Sequence, residues 1–165
     1  MSISLIRVDD RVIHGQTTTR WSKLRPVQSI MAIGDDVAKD ELRKRVLKAA
    51  AGNLKVGIYS VDQAVDKVSR AIESDKDFFI ISNSPQYLSK LVEKGVELGK
   101  KEINIGPMNS RAGAKVLGRT VAIDEKDYEA FEFLESKGYV IQFQLLPDDD
   151  IKSWSTMKAK YNEIK

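Results

Sequence analysis

Short, β-branched apolar runs alternate with longer amphipathic stretches along this chain from one end to the other. Bounded by turn residues, the runs predict strands at Ile3–Val8, Val27–Ile33, Leu54–Ser60, Asp77–Ser82, Glu102–Gly106, Thr120–Asp124 and Tyr139–Leu146. The stretches between them place apolar residues at helical spacing and predict helices at Gly15–Lys23, Val37–Ala51, Val61–Glu73, Pro85–Lys94, Glu125–Ser136 and Ile151–Asn162. The punctuation agrees: Ser84-Pro85 opens a helix, Gly95 and Gly138 close helices, and Gly52-Asn53 makes a turn. Strict alternation of strand and helix implies right-handed βαβ crossovers. The expected fold is therefore single-domain α/β, an open and mainly parallel sheet of about seven strands with helices on both faces. The direction of the last strand is left open by the pattern. No linker, repeat or low-complexity tract interrupts the 165 residues, which suit one domain over 1–165.

One segment breaks the alternation. Pro107-Met108-Asn109-Ser110-Arg111-Ala112-Gly113 follows a strand with no evident helix. Loops beyond the C-terminal ends of parallel strands build the ligand site in open α/β sheets. The same edge receives Asp9-Asp10-Arg11-Val12-Ile13-His14-Gly15-Gln16 after the first strand, so the two loops are expected to lie together. His14 is the only histidine in the chain, and it falls where a helix begins.

An imidazole accepts a phosphoryl group well because its neutral form carries a nucleophilic lone pair near neutral pH. Arg7 and Arg11 could neutralise the charge that arrives with phosphate, and Asp10 could orient the ring. Backbone N–H groups at the helix start near Gly15 and Gln16, with Thr17 beside them, could bind the phosphate oxygens. Plainer readings stand alongside: a lone histidine can be a surface or capping residue, and Asp9-Asp10 or Asp35-Asp36 can be turn or N-cap residues. Trp21 reads as core.

Composition narrows the field. With no cysteine, disulfides, thiolate metal sites and thiolate nucleophiles are excluded, and with one histidine a zinc site would need carboxylates for its other ligands. The net charge of +3 is modest, and Arg43, Lys44, Arg45 and Lys48 read as a solvated helix face rather than a nucleic-acid footprint. No Gly-x-Gly-x-x-Gly turn follows a strand, so nucleotide binding has no motif to rest on. The start of the chain shows no signal peptide, and no apolar stretch approaches a membrane span. A receiver-type domain phosphorylated on aspartate would need Asp62 as acceptor and a lysine after the fifth strand, and Ile103–Met108 contains none.

The run from Arg7 to Gln16, with Thr19-Arg20-Trp21 downstream, resembles the signature of the IIB subunit of the mannose/fructose/sorbose-type sugar phosphotransferase system. Asp35-Asp36-Val37-Ala38-Lys39-Asp40, Ile103-Asn104-Ile105-Gly106 with Met108, Arg111 and Gly113, Ile123-Asp124-Glu125-Lys126-Asp127 and Gln144-Leu145-Leu146-Pro147 continue the likeness through nearly the whole chain. Val12, Thr17 and Thr18 depart from the pattern without removing a chemical group, and Pro107 stands where the family has a small or polar residue.

The resemblance implies an open α/β fold and a relay in which phosphorylated IIA passes its phosphoryl group to His14, at Nδ1. The phosphoryl group then goes to a sugar carried by the membrane subunits IIC and IID. Arg11 and Arg7 would neutralise the phosphate and Asp10 would orient the loop. Gly15, Gln16 and Thr17 would bind the phosphate, while Asp35, Asn104, Gly106 and Arg111 would support the site or meet a partner. No metal, nucleotide or other cofactor and no nucleic acid is implied. The donor is expected to be a separate chain, a homo-oligomer is left open, and the location is cytoplasmic, at the membrane only through IIC and IID. The sugar itself is chosen in the membrane subunits.

Overall fold

The computed structural model describes residues 3–164, with residues 15–17 described only as part of their helix. Nine strands and seven helices appear among them: β1 Ile3–Val8, α1 Gly15–Leu24, β2 Ser29–Ile33, α2 Asp35–Ala38, α3 Glu41–Ala50, β3 Lys55–Tyr59, α4 Val61–Glu73, β4 Phe78–Ser82, α5 Pro85–Glu93, β5 Glu102–Ile105, β6 Lys115–Val116, β7 Ala122–Ile123, α6 Glu125–Ser136, β8 Val140–Phe143, β9 Lys152–Ser153 and α7 Trp154–Glu163. The main sheet has seven strands in the order β3-β2-β4-β1-β5-β8-β9. Every pairing from β3 to β8 is parallel, and β9 alone joins antiparallel. The single α/β layer structure expected from the alternation is the one found.

The interior strands are apolar on both sides because helices cover both sides. Ile6, Val8 and Ile80 face a core shared with Val68 of α4, Leu88 and Leu91 of α5, and Phe131 of α6. Leu5, Ile30, Phe79 and Ile81 face a second core with Trp21 of α1, Val37 of α2 and Leu47 of α3. At roughly 1.5–3 kcal/mol for each large side chain removed from water, the two cores supply the main drive to fold. At the far end, Trp154 packs against Phe131 and Tyr128 with ring centroids 4.9 and 5.3 Å apart, fixing α7 against α6. Among the described residues no helix is long and apolar enough to cross a membrane.

Three expectations change. The predicted strand at Thr120–Asp124 does not enter the sheet: its Ala122–Ile123 pairs antiparallel with Lys115–Val116 in a separate two-stranded ribbon. The seventh strand of the sheet is instead Lys152–Ser153, which the pattern had placed inside the last helix. That helix starts at Trp154, where the Ser153 hydroxyl accepts the Thr156 N–H at 3.2 Å. The helix expected over Val37–Ala51 is two helices, because the Asp40 carboxylate accepts the Arg43 N–H at 3.1 Å and caps a new start.

The other caps follow the sequence. Ser60 with Gln63 and Asp124 with Asp127 form capping boxes, Ser84 caps a helix with Pro85 in its first turn, and Gly95 and Gly138 take φ values of 88° and 94° where helices end.

Candidate active site

Four loops meet beyond the C-terminal ends of the central strands: residues 9–14 after β1, 83–84 after β4, 106–113 after β5 and 144–150 after β8. The first loop is built around Asp9. Its N–H reaches the Ser82 carbonyl at 2.8 Å, its Oδ1 accepts the Arg11 N–H at 3.0 Å, and its carbonyl accepts the Val12 N–H at 2.8 Å. A short side chain bonding the backbone two residues on is an Asx-turn, so Asp9 serves the loop as a turn residue. Burial pushes its carboxyl above the usual range, against the pull of the Arg11 N–H and the Arg7, His14 and Arg11 charges.

Val12 has φ 62°, and the Ile13 N–H reaches back to the Arg11 carbonyl at 2.7 Å. An i to i+2 hydrogen bond about a positive-φ centre is the rarer, strained γ-turn. For a β-branched residue this conformation costs of order 1–3 kcal/mol. His14 follows as the N-cap of α1, half-buried.

Asp10 ties this loop to the next. Its N–H donates to the Pro107 carbonyl at 3.1 Å, and its carboxylate accepts the Asn109 N–H. The expected neighbourhood of the two loops is therefore what the structure has. Together they enclose a cavity of about 210 Å³ lined by Asp9, Asp10, Arg11, His14, Pro107, Asn109 and Leu145. Arg11 is exposed and borders this cavity. The first turn of α1 begins at the same place, and the leading N–H groups of a helix have no partners within it. The roles expected of Gly15, Gln16 and Thr17 lie outside the described residues.

Arg7 stands elsewhere than expected. A phosphate ligand would face the His14 cavity, but Arg7 is 2% exposed, lies outside that lining, and its hydrogen bonds are internal. Its guanidinium donates to the Asn104 side chain and to the carbonyls of Gln144 and Leu145, at 3.0 and 2.8 Å. It also lies 3.6 Å from Asp9 and 5.2 Å from the Trp21 ring. Burial lowers its pKa to about 10, offset in part by Asp9, so it remains a cation at neutral pH. Arg7 braces the site from beneath. Asn104 completes the brace by donating to the Gln144 amide oxygen at 3.1 Å.

Gly106 is needed for a related reason. A β-carbon there would lie 2.7 Å from the Arg7 guanidinium carbon, which its partners hold in place. Gly106→Ala should lower stability by about 1–3 kcal/mol, as overpacking does. A urea midpoint below that of the wild type checks this.

The remaining expected positions divide. Arg111 donates to the Asn109 carbonyl at 3.0 Å and pairs with Asp127, itself 1% exposed, which also accepts from Gln86 at 2.9 Å. It shapes the 106–113 loop and borders a second cavity, of about 480 Å³, that shares Asp10 and Asn109 with the first. Asp35 lines neither cavity, because its carboxylate caps α4 by accepting the Val61 N–H at 2.8 Å. Its neighbour Asp36 lines the second cavity, held by Asn83 at 2.9 and 3.1 Å and by the Tyr87 hydroxyl at 3.1 Å. Burial pushes the Asp36 carboxyl up, but these bonds, the Val37 N–H and Arg43 outweigh it and hold it below the usual range.

Sequence reasoning missed Leu145 and Asn109 as lining residues; their only signal was proximity to Gln144 and to the 107–113 loop. Trp21 is core, as read. Asp62, the acceptor a receiver-type domain would need, pairs with Lys94 at 3.3 Å in the first turn of α4.

The chain matches the model of the PTS system sorbose subfamily IIB component over residues 3–165. It is 36% identical over 150 residues to a sorbose-specific EIIB component from Klebsiella pneumoniae, covering 90% of each chain. It is 32% identical to the mannose-specific EIIAB component of Escherichia coli K12, covering 90% of this chain and 46% of that one. The crystal structure of the IIBSor domain of the K. pneumoniae sorbose permease superposes over 100% of this chain and 99% of the other, with a TM-score of 0.88 and 34% identity. A likeness that runs through the whole sheet and across all four loops at its C-terminal edge places the chain in the family of phosphotransferase-system IIB components of the sorbose subfamily.

Proposed function

We propose that the chain is a one-domain IIB phosphocarrier that takes a phosphoryl group on His14 from phosphorylated IIA and gives it to a sugar during uptake through IIC and IID. The observation that carries this is the single cavity in which the only histidine, an unburied arginine and a helix start meet. The neutral imidazole attacks phosphorus with its Nδ1 lone pair as the P–N bond of the donor breaks, so one phosphohistidine replaces another. The arriving group carries close to two negative charges. Arg11 offers a two-pronged cation to its oxygens, and the N-terminal N–H groups of α1 offer fixed donors. In the second step a sugar hydroxyl oxygen attacks phosphorus, the P–N bond breaks, and the hydroxyl proton passes to water as the neutral imidazole is restored. Such chemistry asks the protein for position and neutralising charge more than for covalent work.

Asp9 and Asp10 act on the loop: one fixes the turn that carries Arg11, the other pins the 107–109 segment across from His14. The mannose-specific relative, whose name joins IIA to IIB, supports a IIA partner here. The chain would then work in the cytoplasm and reach the membrane through IIC and IID.

The test is transfer from phosphoenolpyruvate through the general phosphotransferase proteins and a cognate IIA. The protein should gain an acid-labile, base-stable phosphate that maps to the peptide carrying His14. No label from a donor shown to phosphorylate another IIB overturns the proposal.

A further inference from the structure

In an extended chain, residues 11 and 14 point to opposite faces, and so do residues 12 and 13. Here that alternation is broken. Arg11 and His14 line one cavity, while Val12 and Ile13 are both buried, at 2% and 4% exposure, in the core with Leu5, Trp21, Phe79 and Ile81. The break occurs at Val12, the only non-glycine residue with positive φ among the described residues, where the γ-turn closes between Arg11 and Ile13. Glycine would adopt φ 62° more easily, but it offers the core nothing to grip. Valine accepts the strained backbone and in exchange seats a side chain beneath the loop, beside Arg7, Asp9, Thr18 and Trp21.

We infer that Val12 is a positioning residue: its buried side chain locks the turn that sends Arg11 and His14 to the same side. The inference rests on the reading of His14 as acceptor. It adds that an apolar anchor one layer below sets the arginine–histidine geometry. Because Val12 is buried, it cannot touch a docking partner.

The experiment compares Val12→Gly, Val12→Ala and Val12→Leu in steady-state transfer from phosphorylated IIA, with thermal melting to confirm folding. Val12→Gly and Val12→Ala should lower kcat roughly ten- to hundred-fold, the scale of a misplaced reacting group, while KM for the donor stays within about twofold. Val12→Leu restores an apolar anchor and should return kcat to within about threefold of wild type.

Wild-type kcat in both small variants overturns the inference, and so does a Leu variant as slow as Gly or a change confined to KM. Backbone ¹⁵N relaxation separates this from the functional reading. If wild type takes no phosphate at all, that reading fails. Increased mobility at Arg11 and His14 in Val12→Gly would still uphold the anchor, and unchanged mobility would remove it. Should Val12→Gly fail to fold, Val12→Ala carries both measurements.

Discussion

His14→Gln should take no measurable phosphate from phosphorylated IIA and should fold as the wild type does. Loss of a nucleophile that forms the covalent intermediate costs on the order of a million-fold in rate, and the amide of glutamine cannot replace an imidazole lone pair. The fold should tolerate the change because His14 is half-buried at a helix N-cap and belongs to neither core. Stability should stay within about 1 kcal/mol of wild type. The paired readouts are label by autoradiography after acid and base treatment, and a urea midpoint. Label that persists in the variant and is stripped by base would move the acceptor to a carboxylate.

Arg7→Met should have the largest effect on stability. Its side chain fills similar space but removes four contacts at once. Asp9 loses its ion-pair partner at 3.6 Å, Asn104 loses its donor, and two carbonyls of the 144–145 segment lose theirs. Removing one partner of a buried pair costs about 3–5 kcal/mol, because the charge left behind stays desolvated. In a protein of this size that is roughly a 10 °C fall in Tm.

Transfer should fall as well, since Asp9 shapes the turn and Leu145 lines the His14 cavity. Arg7→Lys would not rescue it: a single ammonium cannot reach the Asn104 oxygen and both carbonyls as the guanidinium fork does. A variant with wild-type stability would show that the brace is idle. Wild-type stability with lost transfer would return Arg7 to the role of a phosphate ligand.

The elements with strong signals could be read directly. β1, β4 and β5 announce themselves as apolar runs, and α5 and α6 by Ser84-Pro85 at the start of one and Gly138 at the end of the other. The place of His14 at a strand end followed by a helix was equally legible. What failed depends on partners distant in sequence. Ala122–Ile123 looks like any strand, and only a short ribbon with Lys115–Val116 takes it from the main sheet. Lys152–Ser153 is too short to show a period at all.

The site shows the same limit. An arginine at the end of a strand reads as a ligand, and nothing local tells that residues 144–150 fold over it. Val12 could not have been placed either, since the rule against positive φ in β-branched residues is the one this loop breaks.

The guanidinium brace also orders the life of the chain in time. Arg7 lies in the first strand, and the Leu145 carbonyl it needs comes 138 residues later. At ribosomal speeds of about 5–20 residues per second, that interval is roughly seven to thirty seconds. Throughout it the nascent chain has Asp9 beside the cation but lacks the two carbonyls that complete its set, and closing so long a loop is slow work for any folding chain. The His14 end of the molecule thus gains its full support only after β8 has emerged. A truncated or half-made chain holds every residue of the Asp9–His14 loop and still lacks the support that gives it shape.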